Sequence, residues 1–93
     1  MKGGLVMLTR YMAKEFSVRG IRANSVASGS IRTRIADEAF EKHSEAIPAL
    51  AARTALGRIS EPEDVGRVIA ALLSEGGRWI TAQNIEVSGG FKL

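Results

Sequence analysis

The stretch GIRANSVASGS, residues 20–30, decides the fold class of this chain. Small and β-branched residues follow a glycine and run into a Ser-Gly-Ser cluster, a pattern typical of a short strand that ends in a turn. We therefore predict a strand over 21–27. A second run, NIEVS at 84–88, predicts another strand, closed by Gly89 and Gly90.

Helical patterns fill the remaining sequence. Before the first strand, apolar residues recur at helical spacing and predict a helix from Lys2 to Phe16, with Gly20 as a stop. The residues on its apolar face are Leu5, Leu8, Met12 and Phe16, with Met7 and Tyr11 beside them. Residues 31–58 predict two short helices that are interrupted near Pro48.

A third helix is predicted after SEPE at 60–63, where Ser60 can cap, Glu63 can complete a capping box and Pro62 suits the first turn. Its apolar stripe consists of Val65, Val68, Ile69, Leu72 and Leu73, and Gly76-Gly77 ends it. Two strands separated by this long helical segment favour parallel pairing through a right-handed crossover.

Composition limits the class of protein. A chain of 93 residues makes one domain at most, and its 13 basic and 10 acidic residues are interleaved, giving a net charge of +3. Dispersed charge and few aromatic residues disfavour a nucleic-acid binder. The chain has no cysteine, no apolar run of membrane-spanning length and no signal-peptide pattern. We expect a cytoplasmic protein with no metal site and no membrane partner.

Two strands alone do not make a parallel sheet covered on both faces, because an apolar strand edge would be left unpaired. We therefore expect preceding strands to be missing from the chain. The predicted fold class is α/β, with the chain forming the C-terminal portion of a wider parallel sheet. Residues 1–93 are then a single partial domain.

Several motifs carry a resemblance to one family. KGG at 2–4, NSVASGSIRT at 24–33, GRISEPEDV at 57–65 and WITAQNIEVSGG at 79–90 resemble, in order and spacing, the second half of the short-chain dehydrogenase/reductase family of the classical NAD(P)-dependent type. The resemblance covers essentially the whole chain, and it implies that the fold is the C-terminal portion of a Rossmann-like doubly wound parallel sheet. It implies an oxidoreductase that transfers a hydride between NAD or NADP and a small alcohol or ketone substrate.

The resemblance places Lys2 at the position of the family's active-site lysine. In the family, this lysine lowers the pKa of a tyrosine four residues before it and holds the nicotinamide ribose, and the tyrosine exchanges a proton with the substrate oxygen. That tyrosine and the catalytic serine would precede residue 1, and no glycine-rich phosphate loop is present. We expect the chain to be truncated and inactive alone. The alternative for Lys2 is a solvated N-terminal lysine.

The resemblance also assigns a cofactor segment, Ser28 to Thr33, at the carboxyl end of the first strand, where α/β sheets bind ligands. The implied cofactor-binding residues are Lys2, Ser28, Gly29, Ile31 and Thr33. Ser28 stands where the family usually has proline, which makes the loop less rigid. The alternative is an ordinary strand-to-helix turn with Thr33 as a cap.

Residues 34–56 match the family's variable substrate loop, and Arg34, Phe40 and His43 are the implied substrate contacts. The alternative is a surface loop, which we favour for His43. A second function class stays open. In the family, the helix at 2–16 and the segment 63–90 contribute to oligomer interfaces, so the chain could be a non-catalytic homo-oligomer or docking module.

Overall fold

The described residues of the computed structural model are 2–29, 38 and 41–93. The elements, in chain order, are Lys2–Phe16 (α1), Ser25–Ser28 (β1), Ala46–Ala52 (α2), Pro62–Leu73 (α3) and Asn84–Val87 (β2), with 3-10 turns at Ser17–Arg19 and Glu75–Gly77. Chain contacts divide these elements into two units, 1–27 with 69–86 and 28–68 with 87–93. That residues 1–93 form one partial domain stays a prediction.

Strands β1 and β2 pair in parallel as a two-stranded sheet, which confirms the predicted α/β class and the parallel pairing. Strand β1 begins later than predicted, at Ser25 rather than at residue 21. Before it, the Ala82 amide donates to the Ala23 carbonyl at 2.8 Å, and the Ser25 amide donates to the Gln83 carbonyl at 2.9 Å. The residues preceding β1 therefore follow the partner segment without forming regular strand.

A pair of polar side chains explains this late start. The Arg22 guanidinium donates to the Ile80 carbonyl at 3.0 Å and to the Leu72 carbonyl at 2.7 Å. The Asn24 amide donates to the same Ile80 carbonyl at 3.0 Å, and its oxygen accepts from the Gln83 amide at 3.0 Å. We call Arg22 and Asn24 the polar clamp. Because Leu72 lies at the end of α3, Arg22 also satisfies a carbonyl that the helix leaves without a partner.

Helix α1 has the predicted bounds, and small residues form its packed face. Ala13 and Thr9 are buried, at 3% and 6% exposure, whereas Leu8 and Tyr11 are 55% and 70% exposed. The Thr9 hydroxyl is satisfied by the Leu5 carbonyl at 2.8 Å. The apolar periodicity therefore identifies the helix, while most of its large apolar side chains face solvent.

Helix α2 corrects one prediction. It includes Pro48 as its third residue, whereas the sequence predicted an interruption there. The missing amide of Pro48 costs no hydrogen bond, because the first amides of a helix have no partner within the helix. The other predicted short helix falls largely on residues outside the described part of the chain.

Helix α3 begins at Pro62, and its capping differs by one residue from the prediction. The Glu61 amide donates to Asp64 Oδ2 at 2.8 Å, so Asp64, not Glu63, reaches back to close the first turn. Glu63 pairs instead with Arg67, at 3.3 Å, one turn later. Asp64 accepts this hydrogen bond because it, and not Glu63, is the third residue of a helix that starts at Pro62.

Few apolar side chains are buried. Among the described residues, the buried apolar ones are Ala13 and Ile59, and no large side chain is fully enclosed. On the predicted stripe of α3, Ile69 and Leu73 remain exposed. The hydrophobic contribution to stability is correspondingly small, since it scales with the apolar area removed from water.

Candidate functional site

The structure describes part of the predicted site. Lys2 is the first residue of α1, Ser28 is the last residue of β1, Gly29 follows it, and His43 precedes α2. The other predicted residues, Ile31, Thr33, Arg34 and Phe40, lie outside the described residues. Of the predicted cofactor-binding residues, the structure therefore describes Lys2 at the start of α1, and Ser28 and Gly29 at the carboxyl end of β1.

Ser28 and Gly29 form this exit from the strand. Ser28 is exposed, so its hydroxyl can reach a ligand. A Cβ added at Gly29 would lie 3.2 Å from the Ser88 Cβ and 3.6 Å from the Phe91 Cβ. The φ angle of Gly29 lies outside the left-handed region, so this angle does not require glycine. Glycine is favoured at this position because Ser88 approaches it closely.

The segment that approaches Gly29 is the turn after β2, Ser88–Phe91, which we call the exit turn. Gly89 and Gly90 adopt φ angles of 63° and 81°, in the region that favours glycine. Ser88 is buried, and its hydroxyl oxygen accepts the Phe91 amide at 3.3 Å. The two glycines and this hydrogen bond fix the direction in which the chain leaves the sheet.

The exit turn is anchored to the segment after α2 by main-chain hydrogen bonds. The Ala55 amide donates to the Gly90 carbonyl and the Leu56 amide to the Gly89 carbonyl, both at 3.0 Å. The approach is so close that a Cβ at Gly90 would lie 2.6 Å from the Ala55 Cβ. The end of the predicted substrate segment is thus tied to the turn that supports Gly29.

A small cleft of about 150 Å³ lies beside the exit turn. It is lined by Leu56, Arg58, Ser60, Asp64, Val87, Ser88 and Gly89. Ligand pockets usually enclose about 300–1,000 Å³. This cleft by itself is therefore too small for a dinucleotide.

An ion pair closes one side of this cleft. The Arg58 guanidinium donates to both carboxylate oxygens of Asp64, at 2.7 and 3.1 Å. This hydrogen bonding, helped by the Glu61 amide, lowers the pKa of Asp64 to about 2, and Asp64 in turn raises the pKa of Arg58. Asp64 thus stays ionised at neutral pH and serves the helix start, and it is a poor general acid or base there.

His43 stands on the surface just before α2. Its side chain is 71% exposed, and its Nδ1 lies 3.8 Å from a carboxylate oxygen of Glu45. Its carbonyl accepts the Ala46 amide at 2.9 Å, as the start of a helix requires. These contacts favour the surface-loop interpretation, while a substrate contact by His43 stays untested.

The exposed face of α1 is a second candidate surface. Five large apolar side chains of this helix are at least 40% exposed: Leu5, Met7, Leu8, Tyr11 and Met12. Met7 and Tyr11 border an open groove of about 600 Å³, together with the cationic Arg10 and Lys14. Clustered exposed apolar side chains are typical of surfaces that contact another protein.

Among the described residues, no three or more His, Cys, Asp or Glu side chains are grouped so that they could hold a metal ion. The same residues contain no helix that is long and apolar enough to cross a membrane.

The support of Gly29 by Ser88 and Phe91 was not predicted from the sequence. The paired glycines at 89 and 90 indicate a turn, but their pattern does not identify the residues that the turn contacts. The contact joins residues far apart in the chain, so no local pattern marks it. The alternation of Ile85 and Val87 along β2 is a signal for strand pairing but not for what the following turn touches.

Comparison with known proteins gives consistent matches along the chain. A family model described as enoyl-(acyl carrier protein) reductase matches residues 1–92. A tropinone reductase homologue of Arabidopsis thaliana is 42% identical over 92 residues, which cover 99% of this chain and 34% of the relative.

Solved structures of other proteins also resemble this chain over nearly its whole length. A 3-oxoacyl-[acyl-carrier protein] reductase from Brucella melitensis with bound NAD has a TM-score of 0.80 at 27% identity, covering 99% of this chain and 32% of that one. A blue fluorescent protein from a metagenomic library, in complex with NADPH, has a TM-score of 0.83 at 33% identity, covering 99% and 36%. The chain thus spans about a third of the length of these proteins, two of which hold the cofactors that the sequence implied.

Proposed function

This chain belongs to the short-chain dehydrogenase/reductase family, and we propose that it supplies the nicotinamide side of the cofactor site in an oxidoreductase. The whole protein would transfer a hydride between NAD or NADP and a small alcohol or ketone. One observation carries the proposal: Gly29 is closely supported by Ser88 where parallel strands β1 and β2 both end. Ligands of open α/β sheets bind at that edge.

The proposed roles follow the family resemblance. Lys2 acts on the catalytic tyrosine and the ribose, because a fixed positive charge favours the ionised phenol. The cofactor contacts are Ser28, Gly29, Ile31 and Thr33, and the substrate contacts are Arg34, Phe40 and His43. When bound, the nicotinamide supplies or accepts the hydride. The cytoplasmic location stays a prediction.

We also propose that the 93 residues do not catalyse this reaction by themselves. Little apolar surface is enclosed among the described residues. The chain covers only 34% of the tropinone reductase homologue, and in this proposal other residues supply the remaining parts of the site.

Reconstitution tests this function. The full chain is co-expressed with the complementary N-terminal segment of the Arabidopsis relative, and NADPH oxidation is followed with a panel of small ketones. Lys2→Met should lower kcat by about 100-fold or more, since general acid-base contributions are of that size. Lys14→Met, on the same helix, is the matched control and should leave kcat within a factor of two or so. Equal losses in both variants would contradict the role of Lys2.

The alternative function is a self-association or docking module built on α1. It is favoured by one observation, the exposure of Leu5, Leu8 and Tyr11 on a helix whose packed face is formed by small residues. The segment 63–90 is the second proposed interface. Sedimentation equilibrium at several concentrations tests the module. Leu8→Glu should shift the chain toward monomer, whereas Val18→Glu, an exposed residue outside α1, should not. A monomeric wild-type chain at high concentration excludes self-association.

A further inference from the structure

We propose that Ser88 is a positioning residue for Ser28 and Gly29, the described residues of the proposed cofactor segment, acting through its contact with Gly29. The inference rests on the proposed function and adds a residue that the family resemblance did not assign. Ser88 itself touches no cofactor in this proposal. It limits the position of the backbone at Ser28 and Gly29, where the chain leaves β1.

The first step concerns Gly29. A Cβ at this position would come within 3.2 Å of the Ser88 Cβ, closer than an ordinary van der Waals contact between carbon atoms. Since Gly29 does not need a left-handed backbone, alanine is conformationally acceptable there. Any effect of Gly29→Ala on the chain therefore reports the contact with Ser88, not backbone strain.

The second step concerns the rigidity of the support. Ser88 is 7% exposed, and its hydroxyl oxygen accepts the Phe91 amide. The two glycines that follow Ser88 are bonded through their carbonyls to the amides of Ala55 and Leu56. Ser88 is thus held by its own turn and by a neighbouring segment, so an enlarged residue 29 is displaced and also strains the hydrogen bonds that hold the exit turn.

The third step links this displacement to function. Ser28 is exposed immediately before Gly29, on the ligand-binding edge of the sheet. A shift of a few tenths of an ångström at Gly29 also displaces Ser28, because the two residues share a peptide bond. Misplacement of a bound group by about 1 Å can cost about 100-fold, so a smaller shift should cost about tenfold.

A double-mutant cycle tests the inference in the reconstituted complex. Gly29→Ala should raise the KM for NADPH about tenfold with a smaller change in kcat. Adding Ser88→Gly removes the opposing Cβ and should restore most of this KM. Adding Ser88→Ala instead keeps the Cβ and should not. If both second substitutions rescue equally, or neither does, the positioning role of Ser88 is overturned.

A second measurement tests the inference without relying on activity. If the wild-type complex is inactive, that result counts against the proposed function and not against the role of Ser88. In the 93-residue chain, amide hydrogen exchange is followed at Ala55 and Leu56, whose amides bond to the exit turn. Gly29→Ala should speed exchange there about tenfold, and adding Ser88→Gly should reverse most of this change, as contacting residues couple energetically. Unchanged exchange in Gly29→Ala refutes the contact on which the proposal depends.

Discussion

The polar clamp and the exit turn both tie together distant parts of the chain, but by opposite means. In the clamp, the long side chains of Arg22 and Asn24 donate to the main-chain carbonyls of Leu72 and Ile80. In the exit turn, the hydrogen bonds to residues 55 and 56 join main chain to main chain. The close contacts at Gly29 and Gly90 are possible because glycine has no side chain. Substitutions that remove side-chain atoms should therefore weaken the polar clamp, whereas substitutions that add a side chain should destabilise the exit turn.

The largest expected effect is at Gly90. Gly90→Ala brings its Cβ to 2.6 Å from the Ala55 Cβ and also adds strain at a φ of 81°. Left-handed strain and overpacking together should cost about 2–5 kcal/mol in the free energy of unfolding. Urea denaturation followed by circular dichroism measures this loss.

Gly57 is the matched control, because its φ is 80° and no atom approaches its Cβ position. Gly57→Ala should therefore show only the strain, about 1–2 kcal/mol. If the two variants lose the same stability, the close contact at Gly90 contributes nothing, and the contrast with the polar clamp disappears.

Arg22→Ala should break the clamp. It removes two hydrogen bonds from a charged donor, of which the one to Leu72 caps α3, and should cost about 1.5–3 kcal/mol in the free energy of unfolding. Arg19→Ala, at an exposed position, should stay within about 0.5 kcal/mol of wild type in the same urea titration. A loss at Arg22 no larger than at Arg19 would show that the clamp does not stabilise the fold.

The Arg58–Asp64 pair should make part of the stability pH-dependent. The folded-state pKa of Asp64 is lowered from 3.8 to about 2 by the Arg58 hydrogen bonds, so its contribution is present above pH 3.8 and is lost as the pH falls toward 2. Thermal unfolding between pH 6 and pH 2 should show wild type and Asp64→Asn converging as the pH falls. Glu63→Gln, which breaks the neighbouring exposed pair, is the control. A constant difference between wild type and Asp64→Asn across this range would contradict the assignment.

The smallest expected effect is a gain. Gly4 lies in α1 with no atom near its Cβ position, so Gly4→Ala adds helix propensity without a clash. The melting midpoint should rise, corresponding to about 0.5–1 kcal/mol. A loss of stability would show that glycine is required at this position of α1 by a contact absent from the structure.

Local patterns predicted the elements better than their contacts. The periodicity from Leu5 to Phe16 located α1 correctly, and the runs around Val26 and Ile85 located the paired strands. Motif order along the chain was enough to identify the family. These features are encoded within short windows of sequence, where side-chain spacing alone is informative.

The wrong predictions depend on the register of a helix, and the contact that was not predicted joins residues far apart in the chain. Capping by Asp64 instead of Glu63 depends on where the helix starts, to one residue. Pro48 was expected to interrupt α2, but it falls in the first turn, where its missing amide costs nothing. The support of Gly29 by Ser88 joins residues about sixty positions apart, and no local signal could reveal it.

A dinucleotide titration tests the central claim most directly, that these residues supply one side of a cofactor site. NADPH fluorescence is measured with the chain alone, with the complementary segment of the Arabidopsis relative alone, and with the two together. We predict saturable binding to the complex only. Saturable micromolar binding by the 93 residues alone, or no binding by the assembled complex, would contradict the account.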